Sequence, residues 1–473
     1  MTKSPARPPD LLAPFAVHWA GRVLAASLGL GLAMSSPGTA GAACIDEDKP
    51  DAGSKAAASA GRFEPLGMDA APRKVLLAMV QDALLRSNGV GAARLMAEAA
   101  DQDVEEARAA KKPMAALTGS LSPSLAAGSG SSADASSQVQ ARAGVSLSQT
   151  WYDGGRNDRI IDWRRQQAEA ARLGLLSTQE QISLSTTSLA FERSRYRMQA
   201  SVWGQQVRKM GCLVEALETI VGADKGRASE LVQARKQLQM AELQQTQSMS
   251  QARQVEAKLR RIVGDGLPAT DGLSTLLLSV PELPDVLTAA EKSVEITQLD
   301  ANAAALREMA RAVEAGLKPQ VGWSLGGSAL VAAGGGSPRN GSLSAGVTLS
   351  IPLINAGIDH TIQAARKRAE AARLQRSEVL ETRRQRIVEA HEQVLSAFDR
   401  LRRVGLVLRD SDRLRNFTLQ QWQQLGRRSL FDVLAAESDH YSLRVQYINA
   451  LHDGQQTNAT LMSLGAGLTS WLQ

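Results

Sequence analysis

The side chains that usually carry chemistry are dispersed along this chain of 473 residues. The five histidines are isolated from one another, and the two cysteines, Cys44 and Cys212, belong to no metal-ligand spacing. The sequence therefore predicts no catalytic group, no metal site and no cofactor, which argues against an enzyme. The net charge is +6, but Lys and Arg alternate with Asp and Glu along predicted helices. This alternation is typical of solvated helix faces, and nucleic acid is not an expected partner.

The sequence contains an internal duplication, which organises the helices and strands that carry the charged residues. Residues 144–148 return with one change at 346–350, and residues 168–173 return unchanged at 369–374. The segment Gly226-Arg227-Ala228-Ser229 returns as Gly426-Arg427-Arg428-Ser429. The offset stays close to two hundred residues throughout. The chain is therefore expected to contain two copies of one structural unit.

The first 43 residues predict a secretory signal peptide. Two arginines precede the apolar run of residues 23–34, and Ala40-Gly41-Ala42 has the small-residue pattern of a cleavage site. The run is too short to span a bilayer as a helix, which takes about 20 residues. Cys44 raises the alternative of lipidation. The usual Leu three positions upstream is missing, so ordinary cleavage near Ala42 or Ala43 is favoured.

Each half contains helices on both sides of an alternating segment. Helical patterns over 75–110 and 287–315 stop at Lys112-Pro113 and Lys318-Pro319, because proline cannot continue the helical hydrogen bonds. Long helices are predicted for 156–224 and 228–262, and in the second half after Gly357 and over 430–464. Apolar residues fall seven apart in them, which is typical of coiled-coil packing. They are Leu175, Ile182, Leu189, Tyr196 and Trp203, then Leu380, Ile387, Val394, Leu401 and Leu408.

Period-two alternation predicts a β-hairpin in each half, over 115–149 and 320–353. One face of each strand is apolar, as in Leu117, Leu121, Val347 and Leu349, and the other carries small polar side chains such as Thr118. A membrane barrel fits this pattern, with the apolar face toward lipid and the polar face toward a lumen. A soluble sheet is the alternative, although its outer face usually carries more Lys and Glu.

The predicted organisation is therefore simple. Residues 1–43 form the signal peptide, 44–72 a flexible lead-in, 73–263 the first repeat, 264–286 a connector and 287–473 the second repeat.

This order of elements resembles the TolC-like outer-membrane efflux and secretion channels. The resemblance covers roughly residues 75–464 and depends on the duplicated order, the Lys-Pro junctions, the strand-to-helix glycines Gly155 and Gly357, and the turn at 426–434. It implies a mostly α fold with β-hairpins. Three chains would form a 12-stranded outer-membrane β-barrel continuous with a periplasmic α-helical barrel. It also implies a homotrimer in outer-membrane lipid that works with a periplasmic adaptor and an inner-membrane transporter.

The same resemblance implies a pore gate at the repeat turns, Gly226 and Gly426. Asp432 matches an acidic ring position, and Arg428 matches a basic residue that ties neighbouring coils. Glu230 takes the place of Asp432 in the first half if the two turns are aligned with a two-residue gap. The alternative interpretation is that all three are ordinary polar residues at a solvated helix end.

Several functions stay open at this point. The leading hypothesis is a type I secretion duct that exports a protein toxin with an ABC transporter, and the alternative is the outer component of a multidrug efflux pump. A remoter alternative is a periplasmic coiled-coil adaptor without a channel. The basic face of residues 366–386 favours acidic cargo, but pairing with Glu on a solvated face explains it equally well.

Overall fold

A computed structural model describes residues 72–126, 136–268, 272–333, 339–354, 356–425 and 428–472. Within them the chain is mostly helical, with one antiparallel sheet, and the predicted fold class is confirmed. The predicted signal peptide and lead-in, apart from Pro72, lie outside the described residues, as do Cys44 and Gly426. None of the described helices is long and apolar enough to cross a bilayer.

The two halves repeat one order of elements. The first half comprises α1 (Pro72–Arg86), α2 (Asn88–Ala109), β1 (Met114–Ala126), β2 (Ser136–Tyr152), α3 (Arg156–Ala223) and α4 (Ala228–Val263). The second comprises α5 (Leu283–Glu291), α6 (Val294–Ala315), β3 (Gln320–Ala333), β4 (Arg339–Ser350), α7 (Ile358–Leu425), α8 (Leu430–Leu464) and the short α9 (Leu468–Leu472). Corresponding helices match in length, with 22 residues in α2 and α6 and 68 in α3 and α7. At about 1.5 Å per residue, α3 and α7 are each about 100 Å long.

Two helices predicted as continuous are each divided. The helix predicted over 75–110 breaks at Ser87, whose hydroxyl accepts a hydrogen bond from the Val90 N–H at 3.3 Å and so caps α2. The helix predicted over 287–315 breaks before Val294, where Ser293 is the N-cap residue of α6. Serine satisfies free N–H groups at a helix start better than it fits a helix interior, which explains the new helix after Ser87. The Ser293 hydroxyl makes no such capping hydrogen bond.

The four strands form one sheet in the order β1-β2-β3-β4, so the two hairpins join through β2 and β3. Leu117, Val145, Gly327 and Leu343 lie in one register row. This face is apolar and bare: Leu117 is 80% exposed and Leu343 is 83% exposed. Soluble proteins rarely leave so continuous an apolar patch uncovered.

The opposite face of the sheet is small and polar. Ser328 and Ser342 share a hydrogen bond of 2.8 Å between their hydroxyls. Thr118 and Thr348 each donate to a backbone carbonyl of the next strand at 3.3 Å. The hydroxyls are therefore satisfied close to the backbone, and these positions carry short, hydrophilic side chains.

The long helices pack through only part of the predicted seven-residue pattern. In α7, Leu380, Ile387 and Val394 are buried, and the last two contact residues of α5 and α8. The corresponding set in α3 is only half-buried. The buried positions of α3 are instead largely small or polar, among them Ala168, Ala170, Ser183, Thr186, Thr187, Ala190 and Ser194.

The connector between the halves is held by side-chain amides of α8. The Gln455 amide donates to the carbonyls of Leu273 and Leu276, both at 2.8 Å. The Asn458 amide donates to Leu277 and Ser279, also at 2.8 Å. Because buried carbonyls need partners, these two amides replace the hydrogen bonds that regular secondary structure would supply.

The passage from β2 to α3 depends on two consecutive glycines. Gly154 and Gly155 have φ of 65° and 86°, a left-handed conformation that disfavours other residues. Asp153 accepts hydrogen bonds from the N–H groups of Gly155 (2.9 Å) and Asn157 (2.7 Å). Lys318 donates to the Gly154 carbonyl at 3.1 Å, and a Cβ on Gly154 would clash with the Lys318 side chain. Sequence reasoning selected Gly155, but Gly154 is the more constrained position.

Gly357 occupies the corresponding place before α7. Its carbonyl accepts hydrogen bonds from the Thr361 N–H at 3.1 Å and from the Thr361 hydroxyl at 3.0 Å.

Replacing Gly154 with alanine should therefore destabilise the protein. We expect Gly154→Ala to lower the free energy of unfolding by about 2 kcal/mol or more, because it adds left-handed strain to a clash with Lys318. Thermal unfolding followed by circular dichroism in detergent measures this. The control is Gly211→Ala in α3, where nothing lies within 4 Å of the added Cβ. That change should stabilise the helix slightly, and equal effects of both variants would contradict the junction's role.

A second prediction concerns His452 in α8, which is 1% exposed. Burial lowers the pKa of His452 to about 4, assisted by Arg195 and opposed by the Ile448 carbonyl and Asp453. The unfolded chain therefore binds a proton here between about pH 6.5 and 4 that the folded protein does not. Stability contributed by neutral His452 is complete above pH 6.5 and is lost as the pH falls toward 4, by roughly 3 kcal/mol in total.

Denaturant unfolding of the wild type and His452→Gln at several pH values tests this. The difference in unfolding free energy between them should change over pH 4 to 6.5 and stay constant above it. The control is His360→Gln, because His360 is exposed. A difference that does not vary with pH would refute the prediction.

Candidate functional site

The candidate site consists of two helix-to-helix turns, called here the paired turns, at residues 224–231 and 428–434. In the first turn, α3 ends and a single 3₁₀ turn (Lys225–Arg227) leads into α4. Asp224 accepts a hydrogen bond from the Gly226 N–H at 2.9 Å, which closes the turn. Arg227 contacts the Glu230 carboxylate through Nε at 3.0 Å and Nη2 at 2.8 Å.

The second turn is organised by a capping box at the start of α8. The Ser429 hydroxyl accepts a hydrogen bond from the Phe431 N–H at 3.0 Å, and the Ser429 N–H donates to the Asp432 carboxylate at 3.3 Å. Asp432 therefore satisfies one of the free N–H groups at this helix end. Sequence reasoning missed this role, although Ser429-x-x-Asp432 has the spacing of a capping box.

Arg428 lies between the two coils of the second half. Its Nε donates to the Gln421 side chain on α7 at 3.2 Å, and its Nη1 lies 3.9 Å from the Asp432 carboxylate on α8. Arg428 and Asp432 are about half exposed. An exposed ion pair of this length contributes at most about 1 kcal/mol, so both charges stay available to water and ions.

The paired turns place their acidic residues equivalently. Glu230 is the third residue of α4, which begins at Ala228, and Asp432 is the third residue of α8, which begins at Leu430. Each follows an arginine, but Glu230 contacts Arg227, whereas Asp432 lies near Arg428. The structure therefore does not bring Glu230 together with Arg428 and Asp432 in one cluster within a chain. Of the two repeat-turn glycines, Gly226 lies in the 3₁₀ turn, and Gly426 is outside the described residues.

One apolar cluster lies beneath both turns. Leu217 of α3, Ala234 of α4 and Leu430 of α8 are completely buried in it, with Leu419 and Trp422 of α7 packed alongside. All four long helices therefore meet here, and the two turns share one apolar base.

A buried ion pair lies farther along α7 and α8. Arg415 Nη1 is 3.5 Å from the Glu437 carboxylate, and the two side chains are only 7% and 1% exposed. Arg415 also contacts Asp412 at 2.9 Å. Sequence reasoning missed this pair. Arg415 and Glu437 stand eleven residues before and after Gly426, and residues equidistant from a turn face each other in an antiparallel pair of helices.

Four arginines on the basic face of α7 are paired with acids of α5 and α6. They donate to carboxylates across the groove: Arg366 to Glu314 (2.6 Å), Arg376 to Asp300 (2.9 Å), Arg384 to Glu291 (2.5 Å) and Arg383 to Glu295. These contacts favour the interpretation of a solvated, paired face over a binding surface for acidic cargo. Within the described part of the chain, no group of three or more His, Cys, Asp and Glu could hold a metal ion.

In this chain a duplicated β-hairpin leads into a helix of 68 residues. This arrangement is the fold of TolC-like channel proteins. A model of the family described as outer membrane efflux protein matches residues 79–265 and 287–467. The chain belongs to this family. Its location is the bacterial outer membrane, with an extension into the periplasm, and its family places it in transport and not in catalysis.

Solved structures share the fold at low sequence identity. The chain is similar to CusC, with 17% identity, a TM-score of 0.72, and coverage of 86% of this chain and 97% of that one. A membrane protein from Pseudomonas aeruginosa shares 17% identity with a TM-score of 0.71, over 84% of this chain and 91% of that one. The outer membrane protein VceC from Vibrio cholerae shares 16% identity with a TM-score of 0.68, over 83% of this chain and 96% of that one. No curated protein matches in a sequence search.

Proposed function

We propose that this protein is a homotrimeric exit duct, in which three chains form a 12-stranded barrel in outer-membrane lipid and a helical tube across the periplasm. The observation that carries the proposal is the sheet of the described residues, which has a bare apolar face and two edge strands, β1 and β4. In hydrocarbon an unpaired backbone group costs several kcal/mol, so such edges need partners. Edge strands of neighbouring copies supply them.

The number of strands supports several copies in one barrel. Single-chain membrane barrels have at least eight strands, and this chain has four in its described part. Three copies give twelve strands and six repeat units around one axis. The family match supports this arrangement, because channels of this family are trimers.

The duct works with two further proteins in this proposal, a periplasmic adaptor and an inner-membrane ABC transporter, as a type I secretion system that exports a protein toxin. The sequence as a whole resembles the channel of an adenylate cyclase–haemolysin secretion system. The second candidate function is small-molecule efflux, which the description of the family favours. The coiled-coil adaptor hypothesis is not retained, because the chain matches the channel family over both repeats.

The paired turns are the proposed gate. Three Asp432 carboxylates around a narrow axis repel one another and attract cations, and Arg428 holds α7 to α8 beside them. Glu230 adds a second charged position on α4, held by Arg227. Because the exposed Arg428–Asp432 pair is weak, a docking partner can separate these two side chains at little cost.

The duct proposal is tested on the full protein purified from outer membranes in detergent. We expect a mass of three chains by light scattering, and discrete ion-conducting events after insertion into planar lipid bilayers. A monomer in detergent, or recovery of the protein in the soluble periplasmic fraction, would overturn the proposal.

The gate proposal is tested by Asp432→Asn, which keeps an oxygen that accepts from the Ser429 N–H but removes the charge. We expect the divalent-cation concentration that halves the conductance of this variant to rise roughly tenfold, because the ring of carboxylates that attracts cations is lost. A tenfold change corresponds to about 1.4 kcal/mol of binding free energy.

The matched control is Glu105→Gln, which removes an exposed acid of α2 near the sheet. It should leave divalent inhibition unchanged. If Asp432→Asn behaves like this control, the paired turns are not the gate.

A further inference from the structure

One charged residue lies well inside the sheet, Arg142 of β2. The four strands contain no Asp or Glu, and their basic residues are Arg142 and Arg339. Arg339 begins β4 at the hairpin loop, whereas Arg142 lies six residues from the loop end of β2. At about 3.3 Å per residue that is about 20 Å into the sheet.

Register places Arg142 on the small polar face. Its partners are Ser120 of β1 and Leu330 of β3. Gly144, two residues along the strand, has its Cβ direction toward Thr118 and Ser328, so these positions share one face with Arg142. The apolar residues Leu117 and Leu343 belong to the register rows of the other face.

The charge itself indicates which face meets water. A lipid-facing arginine near the bilayer midplane costs about 2–4 kcal/mol, and a guanidinium cannot lose its proton to avoid that cost. The face of Arg142 therefore lines the lumen, and the bare apolar face contacts lipid.

We propose that three copies of Arg142 form a cationic ring inside the barrel that makes this part of the duct selective for anions and acidic segments of the cargo. The inference rests on the trimeric duct proposed above and adds a selectivity site to it. Rings of arginine or lysine favour anions in other pores. Here the strands hold no carboxylate that could neutralise the ring.

The test is the reversal potential of the full-length channel in a planar bilayer under a KCl gradient. In about 0.1 M salt, we expect Arg142→Gln to lower the anion-to-cation permeability ratio roughly two- to fourfold, the effect of three charges about 10 Å from the axis in water. Arg142→Glu should shift the ratio farther in the same direction. The differences should nearly vanish at 1 M salt, where the screening length is about 3 Å.

The matched control is Arg108→Gln, which removes one exposed positive charge from α2 outside the sheet. It should keep the wild-type ratio. Equal ratios for the wild type, Arg142→Gln and Arg142→Glu, with all three conducting, would overturn the ring while leaving the duct intact. A wild-type trimer that conducts no ions would reject the duct and the ring together.

Discussion

The requirement that every backbone N–H and C=O in hydrocarbon has a partner is the constraint on which the rest of this molecule depends. A four-stranded sheet satisfies its inner strands but leaves β1 and β4 each with one open edge. A longer sheet or a covering helix would solve this within one chain, yet the described part supplies neither. The duplication answers the requirement differently. It gives two hairpins of similar register that pair through β2 and β3, so that further copies can continue the same pattern around an axis.

Such a sheet also dictates how the helices leave it. Each hairpin leads into a helix of 68 residues, and between β2 and α3 the chain has to change from strand to helix within three residues. The left-handed glycines after β2 make this possible, and Asp153 supplies the hydrogen bonds that start α3. Lys318, just before the second hairpin, donates a hydrogen bond to the Gly154 carbonyl at the junction that follows the first hairpin. The two copies are therefore coupled at the base of the sheet as well as along it.

Much of the fold was predictable because it is periodic. Alternation located the strands, and each predicted element has a counterpart in the other half of the chain. The breaks at Ser87 and Ser293 were not predicted, since a helix pattern tolerates a serine, and only Ser87 caps the following helix through its side chain. At the candidate site, the sequence predicted roles for Asp432 and Arg428 but not the residues that they contact. Gln421 lies within hydrogen-bonding reach of Arg428 only because the chain reverses direction between α7 and α8, whereas the Ser429 N–H is a local capping partner of Asp432 whose spacing the sequence already shows. Contacts such as that of Gln421 with Arg428 depend on three-dimensional packing that periodicity does not encode.

The difference between the paired turns has a physical consequence. In the first, a 3₁₀ turn replaces a capping serine, and Glu230 forms two short contacts with Arg227 that are partly shielded from water. In the second, Asp432 caps its helix, while its arginine lies at 3.9 Å and half exposed. The first turn is thus held by its ion pair and the second by its cap. In the proposed gate, an ion at the second turn competes with Arg428 for Asp432 without unfolding α8, because the Ser429 hydroxyl still accepts from the Phe431 N–H. The two copies of the turn therefore hold their acidic residue by different contacts, although both pack on the same apolar cluster.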